Sequence, residues 1–206
     1  MLIREYENRD EVGWVRCRTL SFLNTAYFDN VLTEKERYEN PAIELVAELE
    51  GQIVGLIDVE YEREERTVCS RGEGLGGMIW HIAVHPDFYR QGIGEKLLQA
   101  AEKRAIELGL NRLEAWTRDD IWVQNWYEKM LFDKVNSYYH IYFEGSQMKE
   151  TIQTAIPDLY LIDGFAHYTG KDIDQFKRTG QRIHECVCYE KYLSVDTSYA
   201  NNQTGI

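Results

Sequence analysis

Nowhere in its 206 residues does the chain string together the roughly 18 uncharged apolar residues that a membrane-crossing helix requires. Its start, MLIREYENRD, holds no apolar leader; charge begins at Arg4, and a cytoplasmic location is expected. Basic side chains are the minority, 23 against 35 acidic, for a net charge of −12. A pI near 4.9 argues against a nucleic-acid binder, which needs a basic footprint. The acidic excess suits a cationic substrate, although solubility alone accounts for it in many proteins. The four cysteines, Cys17, Cys69, Cys186 and Cys188, form neither a zinc knuckle nor a redox C-x-x-C pair. The five histidines form no ligand motif such as HExxH, so no metal is expected. Repeats and low-complexity tracts are missing as well.

What is present is enough for a core: 44% hydrophobic and 13% aromatic residues. The length suggests one domain, over 1–195, with a frayed polar tail at 196–206. A short strand at Leu2–Tyr6 precedes a helix starting near Asn8, with Val12, Trp14, Val15, Leu20 and Leu23 as its apolar stripe. Short helices are expected over Tyr27–Asp29 and Glu34–Asn40. Ile43–Leu49 and Ile53–Tyr61 read as strands of a hairpin turning at Glu50-Gly51-Gln52. Met78–His85 is a third strand. Glu95–Leu108 is the clearest helix, with Leu97, Leu98, Ala101, Ala105 and Leu108 on one side and Gly109 as its cap. Arg112–Thr117 (strand), Trp122–Met130 (helix), Tyr138–Phe143 (strand) and Arg182–Tyr192 (strand) follow, with an insertion over 146–180.

Chemistry concentrates in Ile82-Ala83-Val84-His85-Pro86-Asp87-Phe88-Tyr89-Arg90-Gln91-Gly92-Ile93-Gly94-Glu95. A strand delivers the chain to a loop with two glycines that opens a long helix. Orphan N–H groups and the positive end of the dipole make such a helix start a cradle for phosphate. A tight turn that needs glycine for geometry alone explains the same fragment. It is neither the dinucleotide G-x-G-x-x-G nor a P-loop.

The run resembles the acyl-CoA-binding motif of the GNAT superfamily of N-acyltransferases: Gln/Arg, two variable residues, Gly, a variable residue, then Gly/Ala, after a strand ending Val-x-Pro. Here it reads Tyr89-Arg90-Gln91-Gly92-Ile93-Gly94. A second family motif, an Asn, a helix and then Tyr-x-x-x-Gly-Phe, is matched by Asp120 through Tyr127 to Leu131-Phe132. The order of elements is similar over about three-quarters of the chain. Tyr89, Asp120 and Leu131 depart from the family's residues, and Leu131 in place of glycine predicts an altered helix cap.

The resemblance implies an α/β fold: a mixed, mostly antiparallel sheet flanked by helices on both faces, with the insertion before the last strand. It implies acetyl-CoA as donor and an amine, on a small molecule or a peptide, as acceptor, with a homodimer open and no membrane partner. Backbone groups of Ile82, Ala83 and Val84 would pair with the pantetheine. N–H groups across Arg90, Gln91, Gly92, Ile93, Gly94 and Glu95 would hold the pyrophosphate. Asp120 would sit at the pantetheine arm and Lys129 near the ribose phosphate. Tyr127 aligns with the tyrosine that protonates the leaving thiolate, a role that suits a phenol in a dry pocket.

A base is needed for the attacking amine. Alternation in Met78–His85 puts Met78, Trp80, Ile82 and Val84 on one face and Ile79, His81, Ala83 and His85 on the other. His81 then points away unless a bulge re-aims it. Glu60 and Asp58 on the preceding strand, Glu114 on the following one, and a bound water are the other candidates. The glycine-rich stretch before Met78 and the 146–180 segment are candidates to line the acceptor site. A non-catalytic acyl-CoA-binding module and an acidic interaction domain remain as rivals to N-acetyl transfer.

Overall fold

A computed structural model describes residues 1–178 and 182–194. The elements run β1 (Leu2–Glu5), α1 (Glu11–Phe22), β2 (Ala42–Leu49), β3 (Gln52–Tyr61), β4 (Gly76–Val84), α2 (Ile93–Glu107) and β5 (Arg112–Thr117). They continue with α3 (Ile121–Lys129), β6 (Asp133–Glu144), α4 (Gly145–Thr151), β7 (Asp163–Tyr168), α5 (Asp174–Lys177) and β8 (Arg182–Tyr192). The expected tail at 196–206 lies outside the described residues.

All eight strands form one sheet in the order β1-β2-β3-β4-β5-β8-β6-β7. Only β4 and β5 run parallel; every other pair is antiparallel. This is the mixed, mostly antiparallel sheet expected, with helices on both faces. The β2–β3 hairpin closes through Glu50 and Gly51, both at positive φ (52° and 80°), as a two-residue turn matched to the strand twist requires.

One face is covered by α2 and α3. Leu97, Leu98, Ala101 and Ala105 of α2 meet Ile57, Val59, Ile79, Leu113 and Val187 of the sheet, and each buried leucine contributes about 1.5–3 kcal/mol. Gly55 lets this helix sit close: a β-carbon there would lie 2.8 Å from Ile93 and 2.9 Å from Leu97. Leu108 falls just past the helix and is exposed, while Gly109 takes the left-handed cap (φ 82°).

The opposite face carries α1, and its buried stripe differs from the expected one. Trp14, Cys17, Arg18 and Ser21 face inward, while Val12, Leu20 and Leu23 are exposed. The stripe has helical spacing but is half polar, and it is tolerated because every polar group finds a partner. Arg18 donates to Asn30 O (2.8 Å), Asn30 Oδ1 (3.0 Å) and His81 Nδ1 (3.3 Å). Ser21 Oγ donates to Val84 O at 2.6 Å.

Residues 27–29 form turns rather than a helix, and 34–40 is an irregular strap. Lys35 anchors the strap. Its ammonium pairs with Asp58 (2.9 Å) and Glu44, among the rings of Tyr6, Trp14 and Tyr38. The 146–180 insertion contains α4, α5 and an additional edge strand, β7, paired with β6. All four cysteines are reduced and buried. Among the described residues no helix is long and apolar enough to cross a membrane.

Candidate active site

The site begins where β4 parts from β5. Their pairing covers only Gly76–Ile79 against Arg112–Ala115, while β4 continues alongside β3 to Val84. The cause is one extra residue. Asp58 opposes His81 and Val59 opposes Ile79, so Trp80 is a bulge, and bulges bend the strand that carries them. Beyond it a wedge opens between the strands. His85 N–H donates to Val54 O at 2.9 Å. By alternation the polar groups of Ala83 also turn toward β3, whereas those of Ile82 and the N–H of Val84 turn to the wedge, Val84 O being taken by Ser21 Oγ. Ala83 therefore drops out of the expected backbone contacts.

The bulge also corrects the face assignment. Ile79 joins Ile82 and Val84 on the α2 side, and Trp80 is 47% exposed. His81 stays on the α1 side, edge-on to Trp14 at 5.2 Å. The extra residue does not bring it into the wedge.

At the mouth of the wedge stands the start of α2. Lys96 N–H closes the first helical bond, onto Gly92 O, so the N–H groups of Ile93, Gly94 and Glu95 make no such bond. No side chain caps this end. Arg90 (φ 60°) and Gly92 (φ 73°) are both left-handed, and Arg90 and Gln91 are exposed. The two glycines have different explanations. Backbone geometry demands Gly92. Gly94 has no positive φ, and a β-carbon on it would meet Trp126 and Val84 only at an ordinary 3.6 Å. Nothing within the chain requires glycine at 94, whereas a ligand approaching the backbone would. The residues therefore fit a phosphate-bearing ligand here.

Asp120 precedes α3 and is spent internally: its carboxylate accepts Ala26 N–H at 2.9 and 3.1 Å. Burial raises its pKa. Lys129 is 72% exposed and lies 4.0 Å from Glu95, placing a cation beside the α2 start. Tyr127 is buried between Tyr189, stacked at 5.3 Å and 14°, and the edges of Trp126 and Phe132. Burial pushes its pKa far up, with Tyr27 adding to the effect, so it holds its proton. Among the described residues no group hydrogen-bonds its hydroxyl. The cap after α3 is regular, contrary to expectation. Leu131 adopts the left-handed position (φ 65°), with Leu131 N–H on Glu128 O and Phe132 N–H on Tyr127 O, each at 3.0 Å.

These features coincide with a known family. Residues 5–132 match the model of the Acetyltransferase (GNAT) family. The chain belongs to that family. An acetyltransferase of Pectobacterium atrosepticum is 31% identical over 124 residues, 60% of this chain and 78% of that protein. The ribosomal-protein-S18-alanine N-acetyltransferase of Escherichia coli superposes with a TM-score of 0.58 at 13% identity, over 96% of this chain and 97% of that one. A GNAT acetyltransferase of Elizabethkingia anophelis with acetyl-CoA bound gives 0.51 at 15% identity, over 93% and 97%. At these identities the structural likeness shows the fold.

In this GNAT chain the expected base candidates are occupied. Glu60 accepts Asn40 N–H (2.8 Å), Asn40 Nδ2 (3.0 Å) and Trp80 Nε1 (2.7 Å). Glu114 accepts Ser70 N–H and Oγ, Arg71 N–H and Trp116 Nε1. Asp58 takes Lys35 and the Tyr38 hydroxyl. His81 is held by Glu36 (2.7 Å) and Arg18. The glycine-rich stretch leading into β4 is explained by packing: β-carbons at Gly72 and Gly76 would strike Arg112, buried among Glu62, Glu114 and Glu190. Among the described residues no group of three or more His, Cys, Asp or Glu is arranged to hold a metal.

Sequence reasoning did not single out Arg118, Asp119 or His184. Arg118 lies over Tyr27 (4.5 Å) and Phe165 (4.8 Å) and pairs with Asp29. His184 bonds Asp119 at 2.8 Å. The only signal was the polar run Arg118-Asp119-Asp120 between a strand and a helix.

Proposed function

We propose that this GNAT acetyltransferase moves an acetyl group from acetyl-CoA to a primary amine by direct attack within a ternary complex. The observation that carries this reading is the wedge between β4 and β5, with the uncapped start of α2 at its mouth and the unpartnered Tyr127 hydroxyl on the helix that follows β5. When bound, acetyl-CoA supplies the activated thioester. Ile82 and Val84 hold the extended arm as a strand would, and an N–H from this edge polarises the carbonyl oxygen as charge develops on it. The N–H groups of Ile93, Gly94 and Glu95, with Arg90, receive the phosphates, and Lys129 offsets Glu95 beside them.

Tyr127, kept neutral by burial, gives its proton to the departing sulfur. Asp120 serves by fixing the Ala26 loop to the head of α3 rather than by touching the arm. Residues 1–195 act as one domain, with 146–180 as an elaboration of the acceptor side. The net charge of −12 favours a cationic amine.

Free thiol released from acetyl-CoA tests this with a peptide starting in alanine, spermidine and an aminoglycoside as acceptors. Turnover is expected with at least one amine. Tyr127→Phe is expected to lower kcat about 10²-fold while acetyl-CoA still raises the melting temperature. A chain that acetyl-CoA stabilises but that releases no thiol with any amine is a binding module instead. One that acetyl-CoA leaves unstabilised is neither.

A further inference from the structure

Two indoles flank the place where β4 and β5 part, and the transfer as described leaves them unused. Ile79 and Ala115 are the last residues paired between these strands, and Trp80 and Trp116 directly follow them. Both side chains lie on the sheet face opposite α2. Leu113 and Ala115 pack with α2, so alternation turns Glu114 and Trp116 the other way. On β3, Ile57 and Val59 pack with α2, and Glu60, which takes the Trp80 indole N–H, faces away from it. The phosphate cradle belongs to the α2 side, which leaves the indole side of the wedge to the acceptor. Trp80 is 47% exposed and Trp116 half-buried, so both rings can be reached from solvent.

Each ring is held by a carboxylate that protein cations leave incompletely neutralised. Trp80 Nε1 donates to Glu60 at 2.7 Å, and the other donors to Glu60 are the neutral N–H and Nδ2 of Asn40. Trp116 Nε1 donates to Glu114 at 2.8 Å. Behind it three carboxylates, Glu62, Glu114 and Glu190, share the guanidinium of Arg112. An indole whose N–H binds an anion presents a more negative ring face, and that face attracts cations. Tyr138 extends the surface, its ring 5.2 Å from that of Trp116. Of the cations nearby, Arg118 is spent on Asp29 and on the rings of Tyr27 and Phe165, and Arg71 is exposed to screening solvent.

We propose that Trp80 and Trp116 form the acceptor subsite, and that it selects an aliphatic amine bearing a second positive charge. This deepens the transfer reading and rests on it. The reacting nitrogen gives up a proton before it attacks, so its own charge is not held through the transition state. A second ammonium on the same molecule keeps its charge throughout. It rests on the ring faces while the free amine enters the gap toward the thioester. Binding energy that survives into the transition state raises kcat/KM, and a singly charged amine forfeits it on reacting. The indoles bind and select; neither exchanges a proton with the substrate.

The test uses the full chain with acetyl-CoA and reads thiol release for cadaverine and pentylamine, which share a carbon chain and differ by one charge. For cadaverine kcat/KM is expected to be about tenfold higher or more, beyond the roughly twofold that its second reactive amine allows. Trp80→Leu and Trp116→Leu are each expected to reduce that preference several-fold, mainly through KM for cadaverine, with the melting shift by acetyl-CoA retained. Trp116→Phe, which keeps a ring, is expected to recover part of it. Glu60→Gln keeps an acceptor for Asn40 and Trp80 and removes only the charge. It is expected to lower the preference as well, and it carries the test if the leucine variants do not fold. Equal kcat/KM for the two amines in the wild type, or an unchanged preference in the variants, would overturn the subsite and leave the transfer reading intact. Release with the alanine peptide but with neither cadaverine nor spermidine would do the same. Absence of release with every amine tried would overturn both.

Discussion

At Leu131 the chain turns left-handed in a helix cap that the family fills with glycine, and a β-carbon there costs about 1–2 kcal/mol. The side chain is 76% exposed, so little burial offsets the strain. Leu131→Gly is expected to stabilise the fold by about 0.5–1 kcal/mol, once the greater chain entropy of glycine is subtracted, as a higher urea midpoint. Asp120 makes a pH-dependent case. Burial raises its folded pKa above the unfolded value, with the Ala26 N–H bond pulling the other way. The group therefore favours folding below the unfolded pKa, and that contribution is lost as pH rises through the folded one. Asn keeps the acceptor for Ala26 without the charge. Asp120→Asn is expected to be more stable than wild type at pH 7 and no more stable near pH 3; an equal difference at both would contradict burial as the cause. Tyr127, Arg90, Gly92 and Gly94 were singled out as candidates because their motif is local. Asp119 and His184 were not, since their contact joins segments far apart in the chain.

At the scale of elements, what the sequence conveyed depended on whether hydropathy alone decided the packing. The apolar period of α2 and the hairpin signal at Glu50-Gly51 were enough to locate α2 and the β2–β3 pair. In α1 the inward face includes Arg18 and Ser21, whose burial is made possible by Asn30, His81 and Val84, contacts that hydropathy does not encode. β4 shows the limit of alternation. One extra residue at Trp80 reverses the faces on its two sides, and nothing in Met78–His85 announces it. β7, a half-exposed edge strand of six residues containing Gly164, is too short for its alternation to stand out. The strap over 34–40 reads as helical by composition but is held irregular by Lys35 in its aromatic and acidic surroundings.

For the molecule as a whole, the fold class was legible in the order of elements, while the acceptor's identity was not, because no local motif encodes it. The charge of −12 acts over distances that salt controls. Raising sodium chloride from about 50 to about 500 mM is expected to increase KM for a cationic acceptor several-fold and to leave KM for acetyl-CoA steady or lower, since screening weakens attraction to one and repulsion of the other. Parallel changes in both constants would show that the overall field has no part in selection. The parting of β4 from β5 reaches beyond catalysis. A molecule lying along Ile82 and Val84 engages only the folded chain, so it holds that chain closed in proportion to the logarithm of its concentration. Proteases cut chains that have opened. If acetyl-CoA lies there as proposed, digestion by an added protease is therefore expected to slow as acetyl-CoA is raised.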